Sequence, residues 1–257
     1  MSSILQDIRH EKILDKLRSS HSVQVVQLAK ELNISESTIR RDINELDRQG
    51  KLKKVHGGAV SRDFVLTAET TDVAQRKKKN VEKKDSIAKY AASLIEDTDF
   101  VYIDAGTTTE RMIDYLAGSE ATYVTNGLSH ASKLMENGLK VYLIGGELRP
   151  STEATVGARA VESVGRYNFT KCFMGANGID ADKGFSTPHI DEAAIKEAAM
   201  RRSFTTYVLA DNSKFGVVSS VTFAAIDEAT IITDYLEDDR YHKYTEIKQV
   251  ENMNKRV

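Results

Sequence analysis

The fold of the N-terminal region is decided by residues 35–58, which read SESTIRRDINELDRQGKLKKVHGG. Plotted at about 100° per residue, one side of the first half carries three apolar side chains, those of Ile39, Ile43 and Leu46. The opposite side carries four polar ones, those of Ser37, Arg41, Asn44 and Arg48. Arg40 lies at the edge of this polar face, and the acids fall on its flanks: Glu36, Asp42, Glu45 and Asp47. The pattern predicts a helix with one face for a core and one for an anionic surface.

The neighbouring residues favour a DNA-binding role over an ordinary solvated helix. Upstream, a short helix is predicted from four apolar residues, Val26, Leu28, Ala29 and Leu32. A tight turn follows, in which Ser35 is a good N-cap for the next helix. Gly50 then ends that helix, and basic residues alternate with Leu52 and Val55 as in a short strand. These signals together predict a helix-turn-helix followed by a basic wing.

The predicted DNA-binding surface contains eleven residues: Ser35, Ser37, Thr38, Arg40, Arg41, Asn44, Arg48, Lys53, Lys54, His56 and Gly57. Within this set we expect Arg41 and Asn44 to contact bases, and Lys53 and Lys54 to contact the phosphate backbone.

The charge distribution along the chain agrees with a DNA-binding role for the first segment. The whole chain has a net charge of −2, but residues 1–62 contain 12 basic and 8 acidic residues, whereas the remainder contains 24 and 30. The first segment therefore suits a DNA partner and the second does not.

The length of 257 residues suits a small domain plus one of ordinary size. We predict a winged helix-turn-helix domain over 1–62, a linker over 63–80 and a larger domain over 81–257. Helices are predicted over Leu5–Ser19 and Val81–Glu96. The linker lacks clean periodicity and ends in the basic run 76–79, which either contacts the DNA backbone or is a solvated linker end.

The composition predicts a soluble, cytoplasmic protein with no membrane partner. Hydrophobic residues make up 40% of the chain, there is no apolar run near 18 residues, and charges occupy the N-terminus where a signal peptide is apolar. The single cysteine, Cys172, lies in the apolar run KCFMGA and is predicted to be a buried structural thiol. Metal-ligand spacing is absent from the sequence, so we expect neither a metal nor a cofactor.

Short apolar segments alternate with helix-like segments after residue 96. Six of them are predicted strands: 99–104, 121–126, 140–145, 170–176, 206–211 and 229–234. This alternation predicts an α/β fold with a mainly parallel, doubly wound, Rossmann-like sheet. Ligands in such sheets bind in loops at the carboxyl ends of the strands, which here are rich in Gly, hydroxyl and amide groups.

The loop DAGTTT, residues 104–109, suits an anion best. A strand ending at Asp104, a glycine at 106 and three threonines that open a helix would present backbone amides and a positive dipole end. The alternative is a strand-to-helix turn that is merely capped by threonine. The loop matches neither the Walker pattern nor G-x-G-x-x-G, so nothing favours a nucleoside triphosphate or NAD.

Two blocks, STIRRDINEL at 37–46 and KVHGGAV at 54–60, resemble the N-terminal signature of the DeoR family of bacterial transcriptional repressors. Similar blocks recur in family order at 104–109, 125–127, 145–146, 175–178 and 211–216. The resemblance implies a C-terminal domain similar to ribose-5-phosphate isomerase that senses a phosphorylated sugar or a related metabolite.

The predicted effector-binding residues are Asp104, Gly106, Thr107, Thr108, Thr109, Thr125, Asn126, Gly145, Gly146, Arg149, Asn177, Glu192, Lys196 and Lys214. The resemblance implies that Lys196 and Lys214 face the ligand and that Glu192 holds sugar hydroxyls. Alternatively, Glu192 and Lys196 are four residues apart and form a surface ion pair. Arg149 is a candidate for a phosphate contact or a subunit contact.

An alternative function is a sugar-phosphate isomerase with a DNA-binding appendage. The related isomerases carry a GADE-type loop with a catalytic carboxylate, whereas this chain has Asn177 in the sequence GANG. An amide cannot accept the proton, which disfavours catalysis. Asp180, Asp191 and Glu192 lie nearby in sequence and keep the alternative open.

We therefore expect a non-enzymatic repressor of a carbohydrate operon that binds double-stranded operator DNA as a homodimer or homotetramer. Similarity to the fructose-utilisation branch of the family implies fructose 1-phosphate as the effector. Other sugar phosphates and glycerol 3-phosphate stay open, as does induction versus co-repression.

Overall fold

A computed structural model describes the protein over residues 2–20, 22–55, 57–61, 73–236 and 238–250. The chain divides into two compact units, Met1–Leu66 and Thr67–Val257. The domain limits at residues 62 and 80 stay a prediction. None of the helices in the described ranges is both long enough and apolar enough to cross a membrane.

The first unit contains these helices and strands: α1 (Ser2–Ser20), β1 (Ser22–Gln24), α2 (Val25–Leu32), α3 (Glu36–Arg48), β2 (Leu52–Val55) and β3 (Gly58–Ser61). The strands form one antiparallel sheet in the order β1-β3-β2. The predicted architecture is confirmed: α2 and α3 form the helix-turn-helix, and β2 and β3 form the wing.

Local signals fix the ends of α2 and α3. Asn33 ends α2 in the left-handed conformation, with φ 53°. The Ser35 hydroxyl accepts a hydrogen bond from the Thr38 N–H at 3.3 Å and caps α3, as predicted. Gly50 follows α3 with φ 75°, a conformation that glycine adopts without the steric cost of a Cβ atom. The chain can therefore turn directly from the recognition helix α3 into the wing.

The core of the first unit is apolar and joins α1, α2, α3 and the wing. It includes Ile13 and Leu17 of α1 and five apolar residues named from the sequence, Leu28, Ile39, Ile43, Leu46 and Leu52. The prediction that Val26 belongs to the apolar face of this helix is wrong, because its side chain is 48% exposed and Val25 is buried in its place. Since α2 begins at Val25, its inward face contains residues 25 and 28, which are three apart.

Asp42 corrects the expectation that the acids of α3 only flank a polar face. Its carboxylate is buried and accepts a hydrogen bond from Nη2 of Arg9 at 2.8 Å, with Nε2 of His10 3.3 Å away. The hydrogen bond to Asp42 raises the pKa of Arg9. This ion pair between the buried Asp42 and the partly exposed Arg9 joins the recognition helix to α1.

The second unit contains eighteen helices and strands in its described residues: α4 (Val73–Lys78), α5 (Val81–Ala92), β4 (Phe100–Ile103), α6 (Thr107–Met112), β5 (Thr122–Thr125), α7 (Leu128–Glu136), β6 (Lys140–Leu143), β7 (Glu147–Arg149), β8 (Ala154–Val156), α8 (Ala158–Val164), β9 (Phe169–Gly175), β10 (Gly178–Asp180), β11 (Gly184–Thr187), α9 (Ile190–Arg201), β12 (Ser203–Leu209), β13 (Val221–Ala224), β14 (Thr230–Thr233) and β15 (Ile247–Gln249). Short 3-10 helices cover Ile113–Tyr115, Asn212–Lys214, Ile226–Glu228 and Asp239–Lys243.

The main sheet is parallel and has the strand order β15-β14-β12-β9-β4-β5-β6. All six predicted strands lie in it, and apolar clusters cover both of its faces. From β4 the chain builds towards β5 and β6, and from β9 it builds in the other direction. The strand order therefore reverses between β4 and β9, which is where such sheets bind ligands.

The structure differs from the sequence-based helices in two places. Helix α4 forms over Val73–Lys78, inside the stretch predicted to be an irregular linker. Helix α5 ends at Ala92 rather than at Glu96. The chain turns there to enter β4, and the turn is closed by the Asp99 carboxylate, which accepts from the Glu96 N–H at 2.8 Å.

Cys172 is fully buried in β9, and burial raises the pKa of its thiol, so the predicted structural role is confirmed.

Candidate functional site

The exposed face of α3 carries the polar residues predicted to contact DNA. The hydroxyl of Ser35 lies 3.0 Å from that of Ser37 and 2.9 Å from that of Thr38, which joins three hydroxyls at the N-terminus of the helix. Arg41 and Asn44 are exposed one turn further along. The helix therefore presents hydroxyl, guanidinium and amide donors on one surface.

The arginines of α3 differ in their surroundings. Arg40 forms an ion pair with Glu36 at 3.1 Å, and Arg48 forms one with Glu45. Arg41 makes no ion pair with any residue that the structure describes. Its charge is therefore the one on this helix face that is fully available to an incoming anion.

The wing carries Lys53 and Lys54, both exposed on β2. The backbone N–H of Lys54 donates to the Asp47 carboxylate at 3.1 Å, which attaches the wing to the end of α3. Gly57 forms the turn between the two wing strands with φ 82°. Val55, predicted to alternate inward, is 39% exposed, and His56 lies outside the described residues.

A second candidate site is an open pocket where β4 and β9 end. Eight of the fourteen predicted effector residues line it: Asp104, Gly106, Thr107, Thr108, Asn177, Glu192, Lys196 and Lys214. Residues far apart in sequence thus meet at the point where the strand order reverses. The pocket also has a defined electrostatic character, since five basic and three acidic side chains line it.

A buried ion pair forms the base of this pocket. Nζ of Lys196 contacts the Asp104 carboxylate, and it also donates to the Gly175 carbonyl at 3.0 Å. The same carboxylate accepts from the Gly175 N–H at 3.1 Å. The alternative that Lys196 pairs with Glu192 on the surface is wrong, because Lys196 is buried and its partner is Asp104. The pair holds β4, β9 and α9 together.

Two lysines, the buried Lys84 and the half-buried Lys214, form a cationic group in the pocket. Nζ of Lys84, on α5, donates to the hydroxyl of Thr107 at 3.0 Å and to the carbonyl of Arg76 at 2.5 Å. Burial lowers the pKa of Lys84 to about 8, and the nearby cations Lys214 and Arg76 act in the same direction. Burial likewise lowers the pKa of Lys214, with further lowering from Lys79 and Arg76. These cations are close enough to repel one another, and a bound anion would relieve that repulsion.

A second group of polar side chains lies on β11, α9 and the loop after β9. The Thr187 hydroxyl donates to the Asn177 side-chain oxygen at 3.2 Å and lies 3.3 Å from Oε2 of Glu192. The other carboxylate oxygen of Glu192, Oε1, is buried without a hydrogen-bond partner in the described part of the chain, and so is Oγ1 of Thr152. Buried polar atoms of this kind are normally satisfied, so both are available to ligand hydroxyls.

Six predicted effector residues lie outside the pocket lining, and three of them, Thr109, Thr125 and Asn126, bond to backbone groups of the neighbouring loops. The Thr109 hydroxyl is buried and accepts from the Gly106 N–H at 3.0 Å. The side chain of Asn126 accepts from the Ala105 N–H at 3.1 Å, and that of Thr125 accepts from Gly127.

The other three residues outside the lining are Gly145 and Gly146, which come after β6, and Arg149, which ends β7. Gly146 packs against α8, where an added Cβ atom would lie 2.7 Å from the Val156 carbonyl. Gly145 also lies outside the lining residues. Arg149 forms an ion pair with Asp191 at 2.7 Å.

Sequence reasoning missed several residues that line the pocket: Arg76, Lys79, Asn80, Lys84, Thr152 and Asp211. Lys84 had a detectable signal, because it is three, four and seven residues from Ile87, Ala88 and Ala91 on the buried face of α5. A lysine on an apolar helix face indicates a buried cation, as the structure finds for Lys84. The remaining missed residues carry no comparable local pattern.

Residues 9–64 match the model of the DeoR-like helix-turn-helix domain, and residues 79–235 match that of the DeoR C terminal sensor domain. The chain belongs to the DeoR family. It is a DNA-binding transcriptional regulator with an N-terminal helix-turn-helix and a C-terminal α/β sensor domain.

Curated relatives of this DeoR-family chain are themselves regulators. It is 40% identical to the "Uncharacterized HTH-type transcriptional regulator FruR" of Bacillus subtilis (strain 168), over 94% of this chain and 97% of that protein. It is 33% identical to the "Lactose phosphotransferase system repressor" of Staphylococcus aureus (strain NCTC 8325 / PS 47), over 90% and 93%. Among solved structures, the ribose 5-phosphate isomerase A of Methanocaldococcus jannaschii aligns with a TM-score of 0.41 at 15% identity, over 53% of this chain and 55% of that chain.

Proposed function

We propose that this DeoR-family regulator represses a sugar-utilisation operon and that a phosphorylated sugar, with fructose 1-phosphate as the first candidate, binds its sensor domain and releases it from the operator. The names of its relatives support a sugar operon. The fructose assignment rests on the similarity to FruR.

One observation carries the effector class: a single pocket combines buried cations with unsatisfied hydrogen-bonding oxygens. Lys84 donates to Thr107, the first residue of α6, and Lys214 lines the same pocket, so both suit a phosphate. Glu192 and Thr152 offer the oxygens that suit sugar hydroxyls. The lining residues have a formal excess of two positive charges, which matches the charge of about −1.5 to −2 on a phosphomonoester.

We further propose that the sensor domain catalyses no isomerisation. Asn177 in the pocket offers an amide rather than a base. The Asp104 carboxylate is neutralised by Lys196, and the Asp211 carboxylate accepts hydrogen bonds from Asn80 and Ser213. Proton abstraction needs a free, positioned carboxylate. Asp104 and Asp211 are already engaged, whereas the unpartnered Oε1 of Glu192 keeps the isomerase alternative open. Turnover of fructose 1-phosphate detected by NMR would favour the isomerase alternative.

On the DNA side, we propose that Arg41 and Asn44 contact bases and that Lys53 and Lys54 contact phosphates.

The DNA-binding form is proposed to be a cytoplasmic homodimer or homotetramer, because a single winged helix covers one half-site and operators mirror protein symmetry. A fragment of residues 1–62 should then bind operator DNA far more weakly than the full chain at one salt concentration. Equal affinities would argue against the oligomer.

Calorimetry on the full chain tests the effector class. Fructose 1-phosphate, glucose 6-phosphate, glycerol 3-phosphate and free fructose are titrated separately. At least one phosphorylated compound should bind, and free fructose should bind at least tenfold more weakly than its phosphate, because the charge-assisted bonds are lost. Equal affinity for fructose and fructose 1-phosphate, or no binding of any phosphorylated compound, would contradict the proposal.

A further inference from the structure

The two edges of the main sheet differ in how they are protected. The edge strand β15 has three residues, its Ile247 is buried, and its Lys248 pairs with Glu246. A short, charged edge strand discourages pairing with another chain. The opposite edge strand, β6, reads KVYL, and its outer side pairs with no strand in the described residues. This edge therefore lacks the usual protection and carries one charge, on Lys140.

The side chains of β6 are exposed on both faces of the sheet. Tyr142 is 43% exposed and Leu143 is 45% exposed. Successive side chains of a strand point to opposite faces. Strands of parallel sheets are normally covered on both faces, as the neighbouring β5 is at its buried Tyr123 and Val124. An unpaired apolar edge that is bare on both faces is a surface for another chain.

The exposed apolar surface continues beyond the strand. Leu143 lies opposite Thr125, the last residue of β5, and the exposed Leu128 begins α7 soon afterwards. The N–H of Leu128 donates to the Glu153 carbonyl at 2.8 Å, which connects α7 to the hairpin of β7 and β8. Leu148, on β7 of this hairpin, is exposed as well. Three exposed leucines therefore lie on segments that adjoin the carboxyl end of β6.

The charges beside this surface suit a second copy of the same chain. Lys140 begins β6, and Glu147 begins β7 beyond the other end of the strand. Both are exposed, and neither makes an ion pair with any residue in the described ranges. Two identical edge strands that pair about a twofold axis run antiparallel, so the Lys140 end of one lies beside the Glu147 end of the other. The surface is its own complement in charge and in backbone hydrogen bonding.

We propose that the sensor domain dimerises through the β6 edge, which comprises Leu128, Lys140–Leu143, Glu147 and Leu148. The partner is a second copy of this chain, and the two edge strands join the two sheets into one. This inference rests on the proposed function, which requires a symmetric oligomer to hold two recognition helices on one operator. None of the residues of the β6 edge lines the pocket, so breaking the dimer should leave effector binding intact.

Sedimentation velocity on the full-length chain at a series of concentrations tests the interface. Leu143→Arg places like charges against each other, so this contact should weaken by about 100-fold or more, and a wild-type dimer should become a monomer or a tetramer a dimer. The matched control is Phe204→Arg, which replaces an 86% exposed apolar side chain on β12, outside the β6 edge. The control should assemble like the wild type. Thermal unfolding shows whether each variant is folded.

Charge reversal tests the partner and the antiparallel orientation. Lys140→Glu places two acids together at each contact, and Glu147→Lys places two lysines together, so each variant alone should assemble about tenfold more weakly. An equimolar mixture of the two variants restores opposite charges at both contacts and should recover the wild-type affinity. The same recovery is expected for the double variant. Absence of recovery in both would overturn the proposed pairing.

The other outcomes separate the interface from the proposed function. A monomeric wild type, an unchanged assembly of Leu143→Arg, or equal dissociation of Phe204→Arg would overturn the β6 edge as the interface. Leu143→Arg should match the wild type in calorimetry with fructose 1-phosphate and bind operator about tenfold or more weakly, because a smaller assembly engages fewer half-sites. If the wild type assembles through this edge but binds neither operator DNA nor a phosphorylated sugar, the proposed function fails and the interface stands.

Discussion

The recognition helix and the sensor pocket both present cations to an anion, but in opposite environments. On α3, Arg40 and Arg41 are exposed and remain hydrated. In the pocket, Lys84 and Lys196 are buried, and burial lowers the pKa of Lys84 to about 8. Exposed charges suit a long polyanion that is bound through many weak, salt-sensitive contacts. Buried charges suit one small anion, because each contact is stronger once water is excluded. The two regions should therefore respond differently to mutation, pH and salt.

The largest difference should appear in the buried pair of the pocket. Lys196→Met leaves the Asp104 carboxylate buried without its counter-charge, so the free energy of unfolding of the sensor domain should fall by about 3–5 kcal/mol. Urea unfolding measures this change. Asp104→Asn combined with Lys196→Met removes both charges and should recover much of the loss. A loss below about 1 kcal/mol in the single variant would show that the pair behaves like an exposed one.

Replacing the free arginine of the recognition helix should change DNA binding and not stability. Arg41→Ala should cost about 1–3 kcal/mol on the operator and relax specificity, because a base contact is lost. Lys54→Ala should weaken binding to all sequences alike and lower the salt slope. Fluorescence anisotropy with operator and random DNA at several salt concentrations separates the two roles. Equal effects of both substitutions on both DNAs would remove the distinction between base and phosphate contacts.

The lowered pKa of Lys84 makes effector binding depend on pH. Lys84 is charged below about pH 8 and loses its proton above it, while a sugar phosphate with a second pKa of about 6 keeps its charge. Between pH 7 and pH 9 the affinity for the phosphorylated sugar should fall by up to about tenfold. Lys84→Met should bind weakly at both values and lose this dependence. An unchanged pH profile in the variant would assign the titration to another group.

The smallest effect should come from the exposed ion pair on α3. Arg40 and Glu36 are four residues apart and lie 3.1 Å from each other at the surface. Arg40→Ala should change the free energy of unfolding by only about 0.3–0.5 kcal/mol, in contrast to Lys196→Met. Thermal unfolding of the two variants in the same buffer makes the comparison. A loss of several kcal/mol for Arg40→Ala would show that its exposed pair contributes as much as a buried one.

The first unit was predictable because its signals are local. The spacing of Ile39, Ile43 and Leu46, the Ser35 cap and the Gly50 turn all lie within about five turns of helix and wing. The six apolar strands were predictable for the same reason. Strand β15 and the small sheets β7-β8 and β10-β11-β13 were missed, because most of their strands have only three residues and show no clear period.

The pocket was predicted only in part because strand order is a property of the fold. Thr125 and Gly145 follow strands at their carboxyl ends, as ligand loops do, but β5 and β6 lie one and two strands beyond β4. The pocket forms at β4 and β9, so these loops support it or lie outside it. Arg76 and Asp211 are 135 positions apart in the sequence, and no local pattern joins them.

Release of the operator by an effector requires the sensor pocket and the DNA-binding surface to be thermodynamically coupled. We expect the segment 63–80 to transmit the change, since half-site spacing tolerates little displacement. If a phosphorylated sugar is the inducer, a saturating concentration of the sugar should weaken operator binding by a factor of about 5 to 150. A saturating concentration of operator should weaken sugar binding by the same factor. Anisotropy with and without the sugar, and calorimetry with and without operator, give the two factors. Equal factors above about 5 are the predicted result. Unchanged operator affinity with a sugar phosphate that demonstrably binds would contradict induction, and tighter operator binding would make the sugar a co-repressor.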